Sequence, residues 1–99
     1  MKLVLSTLDY INHLQRYIIV HSFIYYEMDY NIISDMKYDA KSKELVKLKN
    51  EHPDLWKQSE YYEQFGDDYN GATGFTLYHS LSDDKKKYID SIVKIIIRR

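Results

Sequence analysis

The sequence predicts an all-α fold: a small helical domain with an N-terminal antiparallel helical hairpin, a third short helix, a loop and a C-terminal helix. Three observations predict it. Apolar and aromatic residues recur three and four apart over long stretches. A serine stands at the head of three of these stretches, with acidic residues just after it. Pro53, Gly66, Gly71 and Gly74 fall between the periodic segments, where chain breakers belong.

Ser6 is placed to cap the first helix, with Asp9 three residues later as a weak capping box. Ile11, Leu14, Ile18, His21, Tyr25 and Met28 then form one stripe. Ile19, Val20, Phe23, Ile24 and Tyr26 lie off it, so the helix, about residues 6–28, is apolar nearly all round and buried on more than one side. Asp29 to Ile33 breaks the period and reads as a short loop. Ser34 caps a second helix with Asp35 in its first turn, and Tyr38, Leu45 and Leu48, with Val46 nearby, mark its buried side. Pro53 stops it. A connection this short makes the two helices an antiparallel pair.

Asp54 is the expected cap of a third helix running through Trp56, Tyr61, Tyr62 and Phe65 and ended by Gly66. Asp67 to Gly74 is loop, and Thr76 to Leu81 is a helical turn or a short strand. Ser82 caps the last helix with Asp83 and Asp84 in its first turn, and Ile89, Ile92, Val93 and Ile96 form its apolar stripe.

Composition narrows the function. The chain of 99 residues is one domain, and 44% hydrophobic with 29% charged residues is globular rather than disordered. There is no cysteine, which excludes disulfides and thiolate metal sites. A formal net charge of −1 argues against direct nucleic-acid binding through phosphates. Even the longest apolar runs, such as Tyr17 to Val20, are too short for a membrane span, and no secretory leader pattern is visible; the expected location is cytoplasmic. The basic apolar tail Lys94 to Arg99 reads as a helix C-terminus with cations at its negative dipole end. The 11 tyrosines owe their number mainly to an AT-rich codon bias, but that bias does not explain where each one sits.

One constellation suits a ligand. Tyr25 and Tyr26 end the first helix, while Asp35, Tyr38 and Asp39 share one face at the start of the second. Two carboxylates four apart repel by about 0.2–0.5 kcal/mol in an isolated helix. The helix N-terminus offsets that cost, and a bound cation would offset more. Rings and carboxylates without a metal-binding histidine pair suit a flat organic cation such as a pyridinium on a ribose. The rings can stack on it through cation–π attraction.

The same residues carry a resemblance. The segments His21-Ser22-Phe23-Ile24-Tyr25-Tyr26-Glu27-Met28-Asp29, Ile33-Ser34-Asp35-Met36-Lys37-Tyr38-Asp39, Glu44-Leu45, Leu48 and Glu51-His52-Pro53-Asp54-Leu55 resemble the N-terminal domain of bacterial NAD-dependent DNA ligases. The likeness runs without a gap from about Ile11 to Leu55. It implies a ligase-like helical region over residues 1–65 and an extension, residues 66–99, packed in the same domain. It further implies a site for the nicotinamide mononucleotide (NMN) half of NAD, in which Tyr25 and Tyr26 meet the ring and nucleotide and Asp35, Tyr38 and Asp39 face them. Asn31 stands where that family usually has proline, and Ala40 and Lys41 stand where it commonly has arginine and leucine. No lysine-x-aspartate-glycine motif supplies an adenylation nucleophile, and 99 residues leave no room for an OB fold or zinc finger. Ligation by this chain alone is therefore not expected.

Other motifs are weaker. Asp67, Asp68 and Asn70 before Gly71 have the wrong spacing for a calcium loop. Gly71 to Gly74 lacks the lysine of a phosphate loop. His13, His21, His52 and His79 show no paired metal spacing; His21 reads as a packed, hydrogen-bonded stripe residue and His52 as a helix-end residue. Two readings follow: a non-catalytic NMN or NAD recognition module, or a phage or mobile-element type of interaction protein that binds and modulates a host protein. The second rests on a C-terminal third rich in Tyr62, Tyr69, Phe75 and Tyr78. Hydrolysis of the nicotinamide–ribose bond by Glu27, Asp35 or Asp39 is conceivable on residue type but needs a carboxylate beside the scissile carbon and a positioned water, which the sequence does not support.

Overall fold

The structure is a computed structural model that describes residues 6–28, 33–71 and 76–97. The described residues form five helices and no strand: α1 (Thr7–Met28), α2 (Asp35–Glu51), α3 (Pro53–Gln58), α4 (Tyr62–Phe65) and α5 (Asp83–Ile97). The fold is all-α, as the sequence predicts. The three serine caps act as expected: Ser6 Oγ accepts from Asp9 N–H at 3.1 Å, Ser34 Oγ from Lys37 N–H at 3.1 Å and Ser82 Oγ from Lys85 N–H at 3.4 Å.

α1 is the centre of the molecule, packing against α2, α3 and α5. Ile11, Leu14, Ile18, Ile19, Val20 and Ile24 are all buried, on the predicted stripe and off it. The stripe fails at its end, where Tyr25 and Met28 are exposed. The antiparallel course of α1 and α2 shows in their cross-contacts. Tyr10 Oη donates to Glu44 at 2.6 Å, Lys41 Nζ lies 5.9 Å from the Tyr17 ring, and His21 feels the charge of Lys37. Ascending positions on α1 thus meet descending positions on α2. Of the expected connecting loop, residues 29–32, including Asn31, lie outside the described residues, as do 72–75 of the later loop and Arg98 and Arg99 of the tail.

The predicted third helix is two helices. Asp54 does not cap it: His52 ends α2 and precedes α3, and Pro53 takes the first helical position, where its missing N–H costs nothing. The chain then breaks at Ser59, which is extended at φ −70° and ψ 153°. Polar side chains of α1 hold the break open. Asn12 Oδ1 accepts from Glu60 N–H at 2.8 Å, and Gln15 Oε1 accepts from Tyr61 N–H at 3.2 Å. Gln15 Nε2 donates to Ser59 Oγ at 2.8 Å, and Arg16 pairs with Glu60 at 3.1 Å. Backbone donors that would have continued the helix are satisfied from a distant element instead. Gly66 ends α4 at φ 73°, as expected.

Thr76 to Leu81 is the helical turn, with Ser80 N–H donating to Thr76 O and Leu81 N–H to Tyr78 O. It braces the end of α1. Phe23 and Tyr78 rings meet at 4.2 Å, and His79 Nε2 pairs with Glu27 Oε1 at 2.6 Å. Tyr78 Oη in turn donates to Asp90 on α5 at 2.7 Å. Ile89 and Val93 of the last stripe are buried, and Ile92 and Ile96 pack beside them.

Candidate functional site

The end of α1 and the opening of α2 carry all five residues singled out from sequence. Tyr25 and Tyr26 are 49% and 52% exposed, and their rings stack at 5.0 Å with 21° between planes. Neighbours on a helix point about 100° apart, so two adjacent rings that stack must lean together. They make one aromatic surface open to solvent.

Asp35, Tyr38 and Asp39 occupy the first turns of α2. Both carboxylates are exposed, and Tyr38 is half-buried with its ring against the core. Burial pushes the Tyr38 phenol far above the ordinary tyrosine value. The nearby Tyr69 and Tyr26 phenols and the Asp39 carboxylate push it the same way, while the Ser22 side chain opposes them. Tyr38 is therefore a neutral hydroxyl, able to donate a hydrogen bond, at any physiological pH. These influences place the groups near one another. Tyr26 of α1 lies near enough to Tyr38 of α2 to act on it electrostatically, Tyr38 adjoins Asp39 in sequence, and Tyr25 joins through its stack on Tyr26. Asp35 belongs to the group by helical periodicity, one turn before Tyr38 and Asp39.

The surface offers stacking faces, two acceptor carboxylates and tyrosine hydroxyls that can donate. It is open rather than enclosed. A shallow concavity lined by Lys49, Asn50, Pro53, Trp56 and Asp67 lies at the far end of α2, about 20 Å away along the helix. Among the described residues no group of three or more histidine or acidic side chains is placed to hold a metal. His21 packs on Tyr17 at 4.4 Å, and its burial, aided by the Lys37 charge, lowers its pKa.

Sequence reasoning did not connect Ser22, Ser42 or Tyr69 with Tyr38, though all three are buried near it. Ser22 left a trace, as a small polar residue inside an apolar helical run. Tyr69 left none, since it lies in a loop 31 positions after Tyr38.

A family model for the DNA ligase-like, N-terminal NAD+-binding domain matches residues 6–60, which span α1, α2, α3 and all five site residues. The chain belongs to this family. A DNA ligase of Clostridioides difficile (strain 630) is 45% identical over 51 residues, 52% of this chain and 8% of that ligase. What is shared with the ligase is thus its N-terminal domain and not the whole enzyme. No solved structure matches the chain significantly. The ligase-family segment ends at residue 60, where Asn12, Gln15 and Arg16 of its own first helix hold the chain. The segment is therefore closed on itself by polar contacts made within, or one residue beyond, its limits.

Proposed function

We propose that this protein is a non-catalytic recognition module for a nicotinamide nucleotide, NMN or the NMN half of NAD. Tyr25 and Tyr26 supply the stacking surface, Asp35 and Asp39 accept hydrogen bonds from ribose or carboxamide groups, and Tyr38 donates one. The observation that carries this reading is the convergence of those residue types, from two antiparallel helices, inside the segment matched to an NAD+-binding family. Stacked, half-exposed rings beside two exposed carboxylates suit a pyridinium, because the cation is attracted to both. A cytoplasmic location fits such a ligand.

Titration calorimetry and thermal shift with NMN test it. NMN raises the melting midpoint of the wild-type chain, and Tyr25→Ala weakens binding by about 2- to 30-fold, the range of a lost cation–π contact. Asp35→Ala weakens it as well. Absence of any response at millimolar NMN and NAD overturns the reading.

A second reading, an interaction module, is favoured by Met36, 82% exposed in the first turn of α2 beside the same site. The fitting partner is a protein that supplies the adenylation chemistry. Purified nucleotidyltransferase domain, added in trans, then binds the wild-type chain and not Met36→Asp; equal or absent binding of both removes this reading.

A further inference from the structure

Residues 61–97 lie beyond the segment matched to the ligase family, yet one of them reaches the candidate site from the inside. Tyr69 is 3% exposed. Its ring stacks on Trp56 at 6.0 Å and meets Phe65 edge-on at 4.8 Å. Two residues later Gly71 runs close against α2. A Cβ added there would stand 3.6 Å from Ser42 Cβ and 3.7 Å from Val46 Cγ2. Residues 69–71 are thus seated on the α2 face that carries Tyr38, Ser42 and Val46, which are four apart in succession.

The Tyr69 phenol lies near enough to Tyr38 to raise its pKa, second only to burial, while the Ser22 side chain bonds the Tyr38 hydroxyl and opposes the shift. Ser42 stands close enough to Tyr69 to affect its ionisation in turn. Yet the hydroxyls of Ser42 and Tyr69, both buried, complete no hydrogen bond among the described residues. Buried hydroxyls without partners are costly and uncommon. Two of them near the Tyr38 hydroxyl of a candidate ligand site call for a physical account.

We infer that Tyr69 is a positioning residue for Tyr38, and that Ser42, Tyr69 and Tyr38 form a hydroxyl relay. Ser42 donates to Tyr69 and Tyr69 donates to the Tyr38 oxygen. The Tyr38 proton is then left to point outward at an acceptor oxygen of the nucleotide. Each donation polarises the next hydroxyl, so the outermost one donates more strongly than an isolated phenol. No proton is transferred. The relay closes when an acceptor is present, as site hydrogen bonds that are long in the free protein shorten in the complex. This inference rests on the nucleotide reading for its ligand, but the contact between Tyr69 and Tyr38 can be tested without one.

The experiment uses the full chain, Tyr69→Phe, Tyr38→Phe and the double variant, with tyrosine Cζ labelled for NMR. In the ligand-free protein Tyr69→Phe shifts the Tyr38 Cζ resonance. The phenylalanine ring keeps its place on Trp56 and Phe65, so the fold is kept and the melting midpoint changes little. NMN affinity falls about three- to tenfold in Tyr69→Phe, the worth of one hydrogen bond. It falls no further when Tyr69→Phe is added to Tyr38→Phe, since Tyr69 acts through Tyr38. Tyr62→Phe, which loses a hydroxyl bonded to Asp67, leaves affinity unchanged. Wild-type binding with unchanged affinity in Tyr69→Phe overturns the relay and leaves the nucleotide reading standing. Absence of wild-type binding overturns the nucleotide reading; the Tyr38 resonance then decides for or against Tyr69 as its positioning partner.

Discussion

Replacing Gln15 by methionine isolates the polar contacts that break the chain between α3 and α4. Gln15 has no exposed surface. Its Nε2 donates to Ser59 Oγ at 2.8 Å, and its Oε1 accepts from the Tyr61 N–H at 3.2 Å. Methionine keeps the unbranched shape and nearly the volume, so little cavity forms. The Tyr61 N–H, however, is left buried without an acceptor, at a cost of about 1–3 kcal/mol. Ser59 loses less, because its hydroxyl still donates to Trp56 O; the missing donor to it costs about 0.5–1 kcal/mol. The greater apolar character of methionine returns about 1 kcal/mol. The net loss is about 2 kcal/mol, which lowers the melting midpoint by about 8–16 °C in a domain of this size. Urea denaturation reads the same loss as a lower midpoint with an unchanged slope, since the area exposed on unfolding is the same. A Gln15→Met protein melting within about 2 °C of wild type would refute the claim that these two bonds hold the corner.

Two further outcomes follow from the same structure. His21 is kept neutral by burial, its pKa below the ordinary value of 6.5. Between that value and its folded pKa the unfolded chain binds a proton that the folded chain does not, so stability falls as pH drops below about 6.5. Urea midpoints between pH 7 and pH 5 show this slope, and His21→Leu flattens it; an equal slope in both proteins rejects the assignment. Gly66 has φ 73° and ψ 172°, a region open essentially to glycine alone, while a Cβ there would meet nothing within 4 Å. Gly66→Ala therefore costs about 1–3 kcal/mol through the backbone with no steric clash, and thermal denaturation showing no loss counts against it.

Much of this architecture is legible in the sequence because its signals are local. Ser6, Ser34 and Ser82 each bond an amide three residues on, and such a cap can be read from the residues beside it. The stripes of α1 and α5 follow from period alone. The break at Ser59 is not legible, because the groups that hold it, Asn12 and Gln15, lie 44 to 48 positions away. Periodicity likewise placed Tyr25 and Met28 on a buried stripe, though helical spacing says which face a residue is on and not how far along the helix its neighbours extend. The placement of Tyr25, Tyr26, Asp35, Tyr38 and Asp39 on two adjoining helix ends follows from the short connection. The approach of Tyr69 to Tyr38 depends on a loop path that no local pattern specifies.

The turn at Thr76 to Leu81 has a mechanical consequence. Through Phe23 against Tyr78, Glu27 against His79, and Tyr78 bonded to Asp90, the last turn of the first helix is splinted to the middle of the final one. Where a molecule held by the paired rings also steadies that strut, the two are coupled. By thermodynamic reciprocity, such a coupling acts equally in both directions. Residues that follow the ligase-family segment thus brace the helix end that carries the paired rings.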